Sequence, residues 1–98
     1  MAVTSKEHIL HELRFLKDDL RKRYSVTHLG IFGSVARGEA GAISDIDIVV
    51  EMEPNLYRRA SLRAELETRF GHPVDVIRYR DDMDTGLRNE IDGEACYV

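Results

Sequence analysis

Apolar residues recur early in the chain at Ile9, Leu13, Leu16 and Leu20, a spacing that lays one stripe along an amphipathic helix. Thr4 and Glu7, three apart just ahead of the stripe, suit a capping box, and the helix is expected to run out near Arg23. Lys17, Arg21, Lys22 and Arg23 load its last turns with positive charge that complements the helix dipole, so this cluster reads as a solvated helix end rather than a binding patch. The period then changes. Residues 27–32 read as a first strand closed by Gly33, 34–38 as a helical turn leading into a Gly- and Ala-rich loop through Ser44, and 45–51 as a second strand. Pro54 and Asn55 open a helix over 56–70 with Leu62, Leu66 and Phe70 on one face, and Gly71 with Pro73 stops it. Residues 74–77 read as a short third strand. Asp81 and Asp82 precede a last helix in which Met83, Leu87 and Ile91 share a face up to Gly93.

The order αβαβαβα, without linker or repeat, describes one domain over 1–98: an α+β fold with a small mixed three-stranded sheet flanked by helices. The connection between strands 1 and 2 holds only a helical turn, which allows them to run antiparallel. Strands 2 and 3 are separated by a full helix, the length a parallel crossover needs. A domain of 98 residues buries only about two-thirds of its unfolded surface, so a partner that covers part of it is expected.

Fourteen Lys and Arg against eighteen Asp and Glu leave a net charge of −4, which argues against a dedicated nucleic-acid binder. No apolar run approaches a membrane span, and the first residues lack the apolar region of a signal peptide. Cys96, the single cysteine, has no internal partner for a disulfide, and no Cys/His cluster has zinc spacing; a cytoplasmic protein without a membrane role is expected. His8 and His11 lie three apart on the first helix with no third ligand in reach. The four tyrosines are scattered rather than arranged as a base-stacking platform.

Asp is depleted in strands, yet the second strand opens Asp45-Ile46-Asp47-Ile48 and the third contains Val74-Asp75-Val76. Alternation places Asp45 and Asp47 on one face, with Cα atoms roughly 6–7 Å apart, close enough for both carboxylates to meet one cation. One such residue is adequately explained as a solvated strand end. Three together repel one another and titrate abnormally unless a divalent cation neutralises them. The mixed sheet described above brings the end of strand 1, with Gly33 and Ser34, and the starts of strands 2 and 3 to one edge. Gly33 allows backbone to approach a ligand closely, and Ser34 opens a turn whose free N–H groups favour anions. Arg37 is suited equally to a phosphate or to a salt bridge with a nearby acid. No Walker P-loop and no dinucleotide-binding glycine motif is present.

Gly33-Ser34, ten residues, then Asp45-x-Asp47 resembles the signature of the nucleotidyltransferase superfamily to which DNA polymerase β belongs. The strings from Phe32 to Gly38 and from Ser44 to Val50 are similar to those of its smallest branch, the minimal nucleotidyltransferases. The later helix, Gly71, the Val74-Asp75-Val76 strand and the last helix also fall where that family has them, and no motif position departs. The resemblance implies the nucleotidyltransferase fold, two Mg²⁺ ions and ATP as the nucleotide donor. Asp45 and Asp47 would ligate metal, Asp75 would complete the ion that activates an acceptor hydroxyl, and Gly33, Ser34 and Arg37 would hold phosphates. Three carboxylates against two dications leave one surplus positive charge, suited to a polyanion. Free-standing minimal members resemble the antitoxin half of a type VII-like toxin–antitoxin pair, in which AMP passes to a tyrosine hydroxyl of a HEPN-domain ribonuclease and pyrophosphate is released. Two other readings stay open: an antitoxin that neutralises its toxin by binding alone, and transfer to a small molecule. A D-x-D glycosyltransferase needs a larger fold, and a simple Ca²⁺ site leaves Gly33 and Ser34 unexplained.

Overall fold

The computed structural model describes residues 5–39 and 45–98. Its elements are α1 (Lys6–Tyr24), β1 (His28–Phe32), α2 (Gly33–Ala36), β2 (Ile46–Glu51), α3 (Leu56–Phe70), β3 (Val74–Arg78), α4 (Thr85–Glu94) and β4 (Cys96–Tyr97). The α1 stripe is buried as its spacing requires. The observed cap is Ser5, whose hydroxyl accepts the His8 N–H at 3.3 Å; Thr4 lies outside the described residues. The basic end of α1 is only partly solvated, because Arg23 donates to Asp19 at 2.9 Å and to Glu65 of α3 at 2.7 Å and so ties the two helices together. Asn55 caps α3 and Gly71 ends it at φ +63°.

The sheet has the order β3-β2-β1-β4. β1 and β2 pair antiparallel and β2 and β3 parallel, as the connection lengths require. The expected three-stranded sheet is corrected to four strands, because Cys96 and Tyr97 pair antiparallel with Ile31 and Gly30. Two residues carry no alternation that a sequence pattern can register. What admits them is a missing side chain: a Cβ on Gly30 would lie 2.6 Å from the Cys96 carbonyl oxygen and 3.0 Å from the Tyr97 ring. Gly30→Ala is therefore expected to cost about 1–3 kcal/mol through overpacking. A urea midpoint identical to that of the unsubstituted chain would show that β4 yields freely.

Alternation divides the sheet into two faces. Ile46, Ile48, Val50, Val74 and Val76 join the α1 and α3 stripes in the main core. Phe32 and Val49 meet Met83 and Ile91 on the opposite face, against α4. Asp84, rather than Asp81 or Asp82, caps α4 by accepting the Leu87 N–H at 3.0 Å, so Met83 sits in the turn before the helix. Asp47 and Asp75 are in register with Phe32 and with each other, and both belong to this second face.

Candidate active site

Register brings the candidate residues together. Asp47 faces Phe32 across the antiparallel pair and Asp75 across the parallel pair, so its neighbours on the sheet are the residue before Gly33 on one side and a second carboxylate on the other. Strands in a ladder lie about 4.8 Å apart, which leaves the two carboxylates close on one face. Asp45 stands exposed immediately before β2, and Asp75 is also exposed, whereas Asp47 is half-buried. Burial raises the Asp47 pKa first, and the charges of Asp75, Glu90 and Asp45 raise it further; Arg37 opposes them, and the carboxyl is pushed up to about 6.

The α2 turn presses onto this carboxylate. Gly33 takes φ +72°, a conformation that L side chains rarely adopt, and a Cβ there would fall on the Asp47 carboxylate, 3.2 Å from its Cγ. The backbone at Gly33 can approach Asp47 only because the side chain is absent. Ser34 follows, half-buried, with no side-chain hydrogen bond to another described residue, at the start of the α2 turn.

Arg37 takes the salt-bridge option among the described residues. Its guanidinium donates to Glu94 at 2.9 and 3.0 Å and to Glu39 at 3.1 Å, and it touches Asp47 only through its field. Glu90 and Glu94 of α4 are therefore part of the site's electrostatics, and sequence reading missed both. The available signal was positional: Glu90 and Glu94 flank the Leu87/Ile91 face of a helix that packs beside the site.

The donor set suits a hard divalent cation in its chemistry: oxygen ligands only, like charges in register, and a half-buried carboxyl whose negative charge burial and neighbouring acids disfavour. Among the described residues, no three His, Cys, Asp or Glu side chains already close around one point. Asp45 borders residues 40–44, which lie outside the described residues.

The nucleotidyltransferase domain model matches residues 13–97. The protein adenylyltransferase MntA of Thermococcus cleftensis is 36% identical over 100 residues, with all of both chains covered. A solved chain described as a candidate minimal nucleotidyltransferase superposes with a TM-score of 0.79 at 29% identity, over 96% of each chain. The MNT antitoxin complex with a tri-AMPylated HEPN toxin of Shewanella oneidensis aligns with a TM-score of 0.61 at 21% identity, over 89% of this chain and 65% of that one; this likeness establishes shared fold alone. Since the family match runs through every element that carries Gly33, Asp47 and Asp75, and the MntA identity spans the whole length, the chain belongs to the nucleotidyltransferase domain family, as a nucleotidyltransferase of the minimal, MntA-like branch.

Proposed function

We propose that this chain is an antitoxin that transfers AMP from ATP to a tyrosine hydroxyl of a HEPN-domain toxin in the cytoplasm. The observation that carries the reading is the alignment of Asp47 with Asp75, with Gly33 backbone against the Asp47 carboxylate. The name of the Thermococcus relative, a protein adenylyltransferase, supports a protein acceptor; the AMPylated HEPN toxin of the Shewanella complex suggests its class, and the tyrosine comes from the family resemblance.

In this reading Gly33 and Ser34 hold the β- and γ-phosphates through the α2 turn, and ATP lies with its α-phosphorus over Asp47. Asp45, Asp47 and Asp75 are the residues that would hold two Mg²⁺ ions, which when bound supply Lewis-acid charge to the attacking and leaving oxygens. Asp75, on the side of Asp47 away from Gly33, faces the acceptor. The acceptor oxygen bonds to the α-phosphorus while the bond to the bridging oxygen breaks; pyrophosphate leaves, and the hydroxyl proton passes to Asp75. Arg37 holds Glu39 through Nε and Glu94 through Nη1, and in this reading its main contribution is its positive charge beside Asp47.

The test is transfer itself. The full chain is incubated with Mg²⁺, a HEPN protein and ATP labelled at the α-phosphate, and in parallel with ATP labelled at the γ-phosphate. The α-label is expected on a tyrosine of the HEPN protein and the γ-label on none. A stable complex that takes up neither label would favour neutralisation by binding alone. Label on a small molecule without any protein acceptor would move the reading to that class.

A further inference from the structure

Among the described residues β3 is an open edge of the sheet, and its pairing with β2 decides which backbone groups face outward. The Ile46 N–H donates to the Pro73 carbonyl at 3.0 Å and the Tyr79 N–H to the Val50 carbonyl at 2.8 Å, so the odd-numbered residues of β3 turn their groups toward β2. Val74, Val76 and Arg78 turn theirs away from the sheet. The outward groups of Val74 are already taken by α3: its N–H donates to Glu67 Oε2 at 3.0 Å, and its carbonyl accepts Arg63 Nε at 3.0 Å. Among the described residues, nothing hydrogen-bonds to the outward groups of Val76 and Arg78. A strand edge capped at one end and open at the other is a template for an extended chain.

Two clefts of about 280 and 540 Å³ run along this edge and share Leu56, Arg59 and Ile77. One wall is α3, where Leu56, Arg59 and Arg63 follow at the three- and four-residue spacing of one helix face. Arg78 and Arg80 line the far end, and Asp75 stands at the near end. In a chain of net charge −4, four arginines gather here. Arg63 lies 3.7 Å from Glu67 and Arg80 3.5 Å from Asp82, whereas Arg59 and Arg78 form no ion pair with a described acid. Asp84, the acid lining the larger cleft, is engaged in capping α4. The groove reaches Asp75 from the side opposite Gly33 and Ser34, which is where an acceptor enters if the phosphates occupy the α2 turn.

We propose that this groove docks an extended acidic segment of the acceptor protein, which adds to the β3 edge as a further strand and carries its hydroxyl-bearing residue to Asp75. That the segment belongs to the acceptor rests on the transferase reading; that the groove takes an extended acidic chain does not. Three residues of strand separate Asp75 from Arg78, about 10 Å, so the acids fall two to four positions from the modified residue. Main-chain pairing with Val76 and Arg78 supplies affinity, and the arginines select charge.

The probe is a fluorescein-labelled ten-residue peptide of Glu and Asp with one central Tyr, titrated against the full chain and read by anisotropy. A Lys-substituted peptide, a peptide N-methylated at alternate amides and a ten-nucleotide oligouridylate serve as comparisons. The acidic peptide is expected to bind about tenfold more tightly than each of these, and Arg59→Glu with Arg78→Glu to weaken it about tenfold. Hydrogen exchange should slow at the Val76 and Arg78 amides on binding. Equal affinity for the Lys peptide, no effect of the double substitution, binding without protection of those two amides, or tighter binding of the oligouridylate would each overturn the proposal. If the peptide binds as expected but no α-label ever transfers, the groove stands and the transferase reading falls. If label reaches a HEPN protein undiminished in the Arg59→Glu/Arg78→Glu chain, the transferase reading stands and the groove falls.

Discussion

Asp47→Asn is expected to lower nucleotidyl transfer on the order of 10³-fold while leaving the fold intact and, without divalent cation, more stable at neutral pH. Both effects follow from one placement. Asp47 is half-buried, in register with Asp75, and carries charge that burial and three neighbouring acids oppose. Its folded pKa of about 6 lies above the usual value of 3.8, so the fold binds this proton more tightly than the unfolded chain does. The associated stability is fully present below about pH 4 and is lost as pH rises through about 6. Asn, neutral throughout, escapes that loss and should gain about 1–2 kcal/mol at pH 7, with solvent screening included. Urea titrations at pH 4, 5, 6 and 7 test this, because the curves of the two chains should converge in acid and separate above pH 5. Mg²⁺ should then raise the melting temperature of the unsubstituted chain and not that of Asp47→Asn. Undiminished transfer by Asp47→Asn would remove Asp47 from the chemistry, and a destabilised Asp47→Asn at pH 7 would contradict the electrostatic account.

Gly33→Ala is expected to combine two penalties that occur together nowhere else among the described glycines. The residue sits at φ +72°, which costs an L side chain about 1–2 kcal/mol, and the new methyl group falls on the Asp47 carboxylate. The total should reach about 2–4 kcal/mol. Displacing Asp47 should also slow transfer about 10²-fold, since a shift of about 1 Å at a reacting centre has that effect. Gly71→Ala provides the control. Gly71 has a similar φ of +63° but no atom within 4 Å of the added Cβ, so it should lose about 1 kcal/mol and keep full activity. Equal activity in Gly33→Ala and Gly71→Ala would mean that the close approach of α2 to Asp47 has no role in catalysis.

Stripe spacing along α1 and α3, the single-turn connection before β2 and the full helix before β3 already specify the helices, the strand directions and the edge where Gly33, Asp47 and Asp75 collect. Those features were legible because they depend on local periodicity and on connection length, which chain order alone defines. The fourth strand was not. Cys96 and Tyr97 form a strand only because Gly30, far away in the chain, leaves room beside β1. The cap at Ser5 rather than Thr4 and the start of α4 at Thr85 differ by the one or two residues over which competing local hydrogen bonds decide.

Within the candidate site, the sequence by itself determined which residues are proposed for the chemistry: acids in unfavourable strand positions, and a Gly-Ser turn ahead of them. Only the tertiary structure decided how those residues feel one another. Glu90 enters the field of Asp47 from α4, Arg37 is drawn to Glu94, and the β3 edge opens beside four arginines drawn from α3, β3 and the turn that follows. Charge interactions depend on distance through space and on burial, and neither is set by separation along the chain.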